Sequence, residues 1–289
     1  MNLFSAFSRL VALPHSVFAL PFAIASFVLA FDAGPTANEG RSPLVLLAFV
    51  VVAVVAARTA AMAFNRLLDA DLDGQNPRTA GREIPQGAVS RKQAGLLVVF
   101  TSAIFFAASA ALGFHCFILS PIVLFVLLFY SYTKRFTPYA HFVLGVSLAL
   151  APGGAWWVLR PRVEATPLAL MGAVLLWVAG FDLLYSCQDI AFDREHGVFS
   201  LPARLGIDAT LFTAKVAHIV SVALFFLAGW CADLPGTYFL GMLGLGSFLL
   251  GQHVLISPID LRRINQAFFT MNGAVSLLYL CLIALSVHR

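Results

Sequence analysis

Nine predominantly apolar runs, each close to the roughly 20 residues that carry a helix across a hydrocarbon core, occupy almost all of this 289-residue chain. They fall at about 10–31, 43–66, 93–112, 115–132, 139–160, 167–189, 209–231, 236–257 and 265–287. Hydrophobic residues at 60% against 11% charged, with a mean hydropathy of +0.89, set the chain apart from soluble domains. The expectation is an all-α, multi-pass membrane bundle of nine transmembrane helices, built as one integral domain over 1–289 with no soluble appendage.

Arg9 ahead of the first run gives it the look of a secretory signal, but eight further runs favour an uncleaved first helix. Cys116, Cys187, Cys231 and Cys281 lie in or beside apolar runs without CxxC spacing, so neither a disulfide framework nor a zinc site is indicated. The net charge of +4 does not point to nucleic acid, because the basic residues are placed as an insertion signal. With a cytoplasmic N-terminus, twelve of them (Arg9, Arg66, Arg78, Arg82, Arg91, Lys92, Lys134, Arg135, Arg194, Arg204, Arg262 and Arg263) lie inside. Only Arg41, Arg160, Arg162 and Arg289 lie outside.

Acidic residues gather where charge is otherwise avoided. Asn65, Asp69 and Asp73 close the second run, while Asp182, Asp189 and Asp193 close the sixth, so both groups face one compartment. Residues four apart share a helical face, which makes each group a stripe; Arg58, seven residues before Asn65, belongs on the first of them, since its charge against lipid would be costly. Asp69/Asp73 and Asp189/Asp193 repeat one spacing at an offset of 120 residues, which suggests two related halves. A polar stretch rich in Gly and Pro follows each group, and loops 67–92 and 190–208 read as a cytoplasmic cap over the mouth of a central cavity. Crowded carboxylates need a neutralising cation. Hard oxygen donors beside water favour Mg²⁺, which binds through one or two carboxylates together with substrate phosphates. Arg78, Arg82, Lys134, Arg135 and Arg204 are then available to the remaining phosphate oxygens.

Asn65-x3-Asp69-x3-Asp73, the following Asn76-Pro77-Arg78-Thr79-Ala80-Gly81-Arg82, the run Tyr130-Ser131-Tyr132-Thr133-Lys134-Arg135, and Asp182-x6-Asp189-x3-Asp193 together resemble the UbiA superfamily of intramembrane aromatic prenyltransferases. Asp182 through Gly197 is similar to its 4-hydroxybenzoate polyprenyltransferase-like branch, which includes enzymes assigned to dihydroxynaphthoate prenylation by the futalosine route. The resemblance implies nine helices around a cavity open sideways to lipid, Mg²⁺-dependent ionisation of a polyprenyl diphosphate, and attack on its C1 by a hydroxylated aromatic acid, in ubiquinone or menaquinone synthesis. It implies that Asn65, Asp69, Asp73, Asp189 and Asp193 form the metal and diphosphate shell. Arg78, Arg82 and Lys134 would be diphosphate contacts, Arg135 the partner of an acceptor carboxylate, Asp182 and Arg58 further substrate contacts, and an Asp of the second group the ring-proton acceptor. Asp71 falls on another face and is left out.

Two other classes compete. A transporter could couple cations or protons through intramembrane acids, but such groups usually lie near the midplane rather than at one interface. Asp69-x-Asp71-x-Asp73-Gly74 is superficially similar to a phosphatidyl-alcohol transferase signature whose second half is absent. His15, His115, His141, His218 and His253 lack ligand spacing and read as packing or hydrogen-bonding residues, while His196 in the cap is ambiguous. Arg262 and Arg263 read as topology signals.

Overall fold

The computed structural model describes residues 3–11, 18–255 and 270–287, and every regular element among them is helical. In chain order these are α1 (Leu3–Leu10), α2 (Leu20–Asp32), α3 (Pro43–Leu68), α4 (Ala70–Gln75), α5 (Arg91–Leu112), α6 (Phe114–Phe117), α7 (Ser120–Thr133), α8 (Ala140–Leu159) and α9 (Ala165–Ser186). A 3₁₀ turn at Cys187–Asp189 then precedes α10 (Ile190–Glu195), α11 (Leu201–Leu205), α12 (Ile207–Cys231), α13 (Gly236–Leu255) and α14 (Asn272–Val287). Among the described residues, six stretches are long and apolar enough to cross a membrane: Pro43–Leu68, Arg91–Leu112, Phe114–Thr133, Ala140–Leu159, Ala165–Glu195 and Ile207–Cys231. Arg262, Arg263 and His15 lie outside the described residues.

Three expected runs are interrupted. The run expected over 10–31 is not one helix: α1 stops at Leu10, Val11 is in a turn, and α2 begins at Leu20 with Pro21 in its first turn, where the missing N–H costs nothing. The run at 115–132 breaks between α6 and α7. Pro121 cannot donate to the Phe117 carbonyl, and the Ser120 hydroxyl takes that place at 2.7 Å. The run at 167–189 turns 3₁₀ at Cys187–Asp189 before the helix resumes at Ile190.

The chain divides into two compact units, Met1–Ser16 with Ala48–Tyr132, and Val17–Leu47 with Thr133–Arg289. In the first, Arg58 Nη1 donates to the Val11 carbonyl at 3.1 Å and Arg66 Nε to the Leu10 carbonyl at 3.4 Å. Two guanidiniums of α3 thus satisfy acceptors that the end of α1 leaves open. Helix α5 starts in a capping box, the Ser90 hydroxyl accepting from Gln93 N while the Gln93 side chain accepts from Ser90 N. Leu10, Val89 and Ala94 are buried together with Ile84 and Leu67 against them, which fastens the loop after α4 to α1 and α5.

In the second unit α9 packs on α8 and α12, α2 on α8 and α14, and α13 on α12 and α14. Close approach is bought with small residues, as is usual where lipid gives no hydrophobic drive. A Cβ at Gly145 would lie 2.4 Å from the Leu175 carbonyl oxygen, and one at Gly180 would meet the His218 ring at 2.3 Å. Trp177, fully buried, packs against Phe18, Phe22 and Phe181 and donates to Asn272 Oδ1 at 3.0 Å. Where α8 passes to α9, Arg160 makes paired hydrogen bonds of 3.0 Å to the Glu164 carboxylate and a 3.1 Å bond to the Ala33 carbonyl. Hydrogen bonds from Arg160, and then from Arg162, hold the Glu164 carboxyl below the ordinary carboxylate range.

Candidate active site

Each acidic group is built on a broken helix. In the first unit α3 ends at Leu68, and Asp69 takes φ −91° and ψ 1° before the six-residue α4. Backbone bonds from Asp69 N to the Asn65 carbonyl at 2.9 Å and from Asp73 N to the Asp69 carbonyl at 2.7 Å carry the four-residue register through the break. The stripe therefore survives. Asn65 Nδ2 donates to Asp69 Oδ2 at 3.1 Å and to Ser131 Oγ at 3.3 Å. Asp69 and Asp73 are both buried. Arg82 Nη1 donates to Asp73 Oδ1 at 2.6 Å, and the loop that carries Arg82 is fixed by the Thr79 hydroxyl on the Asp73 carbonyl at 3.1 Å. Asp73 Oδ2 is buried and has no hydrogen-bond partner among the described residues. Asp71 points elsewhere, exposed and paired with Arg91.

The second unit repeats the plan. Asp189, at φ −103° and ψ 5°, precedes the six-residue α10, and Asp193 is buried four residues later. Asp193 Oδ2 accepts from Ser200 Oγ at 2.6 Å, and the same oxygen of Ser200 caps α11 by accepting from Ala203 N at 3.3 Å. Gly197, at φ 66°, supplies the left-handed turn that returns the chain from α10, after which Phe199 N donates to the Lys134 carbonyl at 2.9 Å. Lys134, Asp189 and His141 lie within electrostatic reach of Asp193. Seven residues before Asp189, on α9, Asp182 Oδ2 meets His141 Nδ1 at 2.7 Å.

The expected residues therefore assemble locally as two groups, Asn65, Asp69, Asp73 and Arg82 in one unit and Lys134, Asp182, Asp189 and Asp193 in the other. Arg78, Arg135 and Arg204 are exposed. Arg58 sits at the end of α1, on the Val11 carbonyl. Sequence reasoning missed Ser131, Ser200 and the role of His141. Ser131 lay inside a quoted motif, whereas nothing in sequence spacing joins His141 to Asp182. Among the described residues no three His, Cys, Asp or Glu side chains form a ready cage for a metal. Magnesium does not require one, since it keeps waters and shares its shell with phosphate. The donor set, carboxylate and amide oxygens with one buried carboxylate oxygen left open at Asp73, suits such an ion.

Fold and acid-bearing helix breaks define a multi-pass, helical integral membrane protein whose polar chemistry is concentrated in two equivalent turns. Residues 15–274 match the model of the UbiA prenyltransferase family, and the chain belongs to that family. It is 28% identical over 250 residues to the 4-hydroxybenzoate octaprenyltransferase of Cronobacter sakazakii, covering 86% of each chain. To the enzyme of that name from Nitrosospira multiformis it is 31% identical over 244 residues, 82% of this chain and 81% of the relative. Among solved structures, a UbiA homolog from Aeropyrum pernix K1 superposes with a TM-score of 0.76 at 32% identity, over 94% of this chain and 96% of that one. A UbiA homolog from Archaeoglobus fulgidus bound to DMAPP and Mg²⁺ gives a TM-score of 0.69 at 18% identity, over 96% and 98%, a likeness of fold. The family assignment gives no support to the transporter alternative.

Proposed function

We propose that this prenyltransferase moves a polyprenyl group from its diphosphate to a hydroxylated aromatic acid, 4-hydroxybenzoate or 1,4-dihydroxy-6-naphthoate, in ubiquinone or menaquinone synthesis. The observation that carries the reading is the repeated acid-bearing turn with an unpartnered, buried oxygen at Asp73, joined to relatives named for 4-hydroxybenzoate. Asn65, Asp69 and Asp73 would hold one Mg²⁺, and Asp189 with Asp193 a second. Bound there, the ions would neutralise the carboxylates and stabilise the charge that grows on diphosphate as it leaves.

The chain's own groups supply the rest. Arg78, Arg82 and Lys134 bind and orient the diphosphate. Arg82 is already aligned by Asp73, so its guanidinium is preorganised rather than searching among rotamers. Arg135 receives the acceptor's carboxylate, Asp182 meets the acceptor ring, Arg58 contacts substrate deeper along α3, and an Asp of the second group takes the ring proton. A single domain of nine helices, with a cytoplasmic cap formed by loops 67–92 and 190–208, belongs to the same proposal. Basic residues on the inner loops support an active site at the cytoplasmic face of a bacterial inner membrane.

Purified protein in lipid nanodiscs, given Mg²⁺, a labelled polyprenyl diphosphate and each acid in turn, should yield a prenylated ring detectable by mass spectrometry. Absence of product with every hydroxylated aromatic acid would end the proposal.

A further inference from the structure

We infer that His141 is a positioning residue for the aromatic acceptor, holding the Asp182 carboxylate in one orientation so that its open side accepts a hydrogen bond from the acceptor's hydroxyl. The inference rests on the reading above, in which Asp182 meets the acceptor. His141 stands at the start of α8 and is 5% exposed, while Asp182 lies on α9 with 25% of its side chain exposed. The two meet through Nδ1 and Oδ2 at 2.7 Å. A carboxylate oxygen accepts, so Nδ1–H is the donor of this pair.

Nε2 is buried and has no hydrogen-bond partner among the described residues. A buried nitrogen left open is unfavourable, and a side chain present only to fill space would be better apolar. What the imidazole contributes is its Nδ1–H. Packed in place on one helix, it fixes a carboxylate on the neighbouring helix that would otherwise rotate freely toward its exposed side. Asp182 differs in this from Asp73 and Asp193, which are held by Arg82 and Ser200. The open side of the imidazole-bound carboxylate is an acceptor and suits an O–H donor, the group a hydroxylated ring presents.

The test compares His141→Leu with His141→Asn, whose amide nitrogen restores a donor near the Nδ1 position. Steady-state kinetics are run in nanodiscs with both substrates varied. His141→Leu should raise KM for the aromatic acid by about 10- to 100-fold, the range for a hydrogen bond to a charged group, with KM for the prenyl diphosphate changed by less than about 2-fold. His141→Asn should recover most of that loss. Unchanged kinetics, an equal rise in both KM values, or no recovery by His141→Asn overturns the inference. Should His141→Leu fail to fold, ¹⁵N-histidine spectra of the wild type and of Asp182→Ala decide. A proton on Nδ1 that is lost or shifted in Asp182→Ala supports the pairing, and a wild-type ring protonated only on Nε2 refutes it. Those spectra do not depend on turnover, so a wild type that prenylates no hydroxylated acid defeats the functional reading separately.

Discussion

Asp73 and Arg82 are joined through a single carboxylate oxygen, at 2.6 Å, while the other oxygen of Asp73 is buried with no partner among the described residues. A carboxylate kept for structure alone would have both oxygens satisfied. Replacing Asp73 by Asn preserves shape and removes charge, and is expected to lower kcat by at least about 100-fold, as for loss of a metal-bearing group. Circular dichroism and membrane extraction should match the wild type, and retained turnover would exclude Asp73 from the metal shell.

Chelation should stop the reaction and Mg²⁺ should restore it. Ca²⁺ should restore little, because it takes more ligands at longer distances than two carboxylates and a diphosphate provide. Rate against metal concentration after exhaustive EDTA dialysis gives the answer; full activity in EDTA refutes the cofactor.

Ser200 serves Asp193 and the start of α11 with one hydroxyl. Ser200→Ala should therefore cost about 1 kcal/mol of local stability from the lost cap and lower kcat by about 10-fold through a less ordered Asp193. Ser200→Thr keeps the hydroxyl and should remain close to wild type. Equal activity of all three proteins would show that the bond is incidental.

Packing of α8 on α9 gives a test of stability apart from chemistry. Gly145→Ala places a methyl 2.4 Å from a backbone oxygen that cannot rotate away, with an expected loss of about 1–3 kcal/mol. Gly154→Ala, with open space around the same atom, is the control. Thermal unfolding in detergent should separate the two, and equal midpoints would contradict the helix contact.

At the junction of α8 and α9, Glu164 is held below its usual range chiefly by its hydrogen bonds to Arg160. A depressed carboxylate pKa contributes stability that is complete above the unfolded value and disappears as pH falls through the folded one. Unfolding midpoints should thus be level near neutrality and fall in acid below the ordinary carboxylate range, and Glu164→Gln should flatten that fall. An unaltered acid limb in Glu164→Gln would assign it to other groups.

Apolar run length anticipated an all-helical chain with membrane-length stretches, of which six stand among the described residues, because the bilayer dictates a minimum span whatever the residues within it. What it did not reveal was interruption. A hydropathy window averages over Pro121, and so conceals the break at α6 and α7 that its missing N–H causes. In the same way the 3₁₀ turn at Cys187 to Asp189 has no apolar signature. The acidic groups were legible since spacing of four is a local property of helices and charge is rare here. Partners drawn from far along the chain were not, as with Ser131, 66 residues from Asn65, and His141, 41 residues from Asp182. For Arg58, helix periodicity could not foresee that the end of α1 would supply an acceptor, the Val11 carbonyl.

The interruptions at Asp69 and Asp189 have a consequence for how such a chain can change. Up to Leu68 and Ser186 the polypeptide is largely apolar and bounded by what insertion tolerates, and just beyond those points Asp69 and Asp189 each lead into a six-residue helix that carries a buried acid, Asp73 or Asp193. Substitutions in the short helices can alter the acids with little effect on delivery to the bilayer, and the apolar positions of the long helices can drift among Leu, Val, Ala and Phe so long as Asn65 and Asp182 keep their places. Anchorage and reactivity thus lie in adjoining passages of sequence that selection can edit independently.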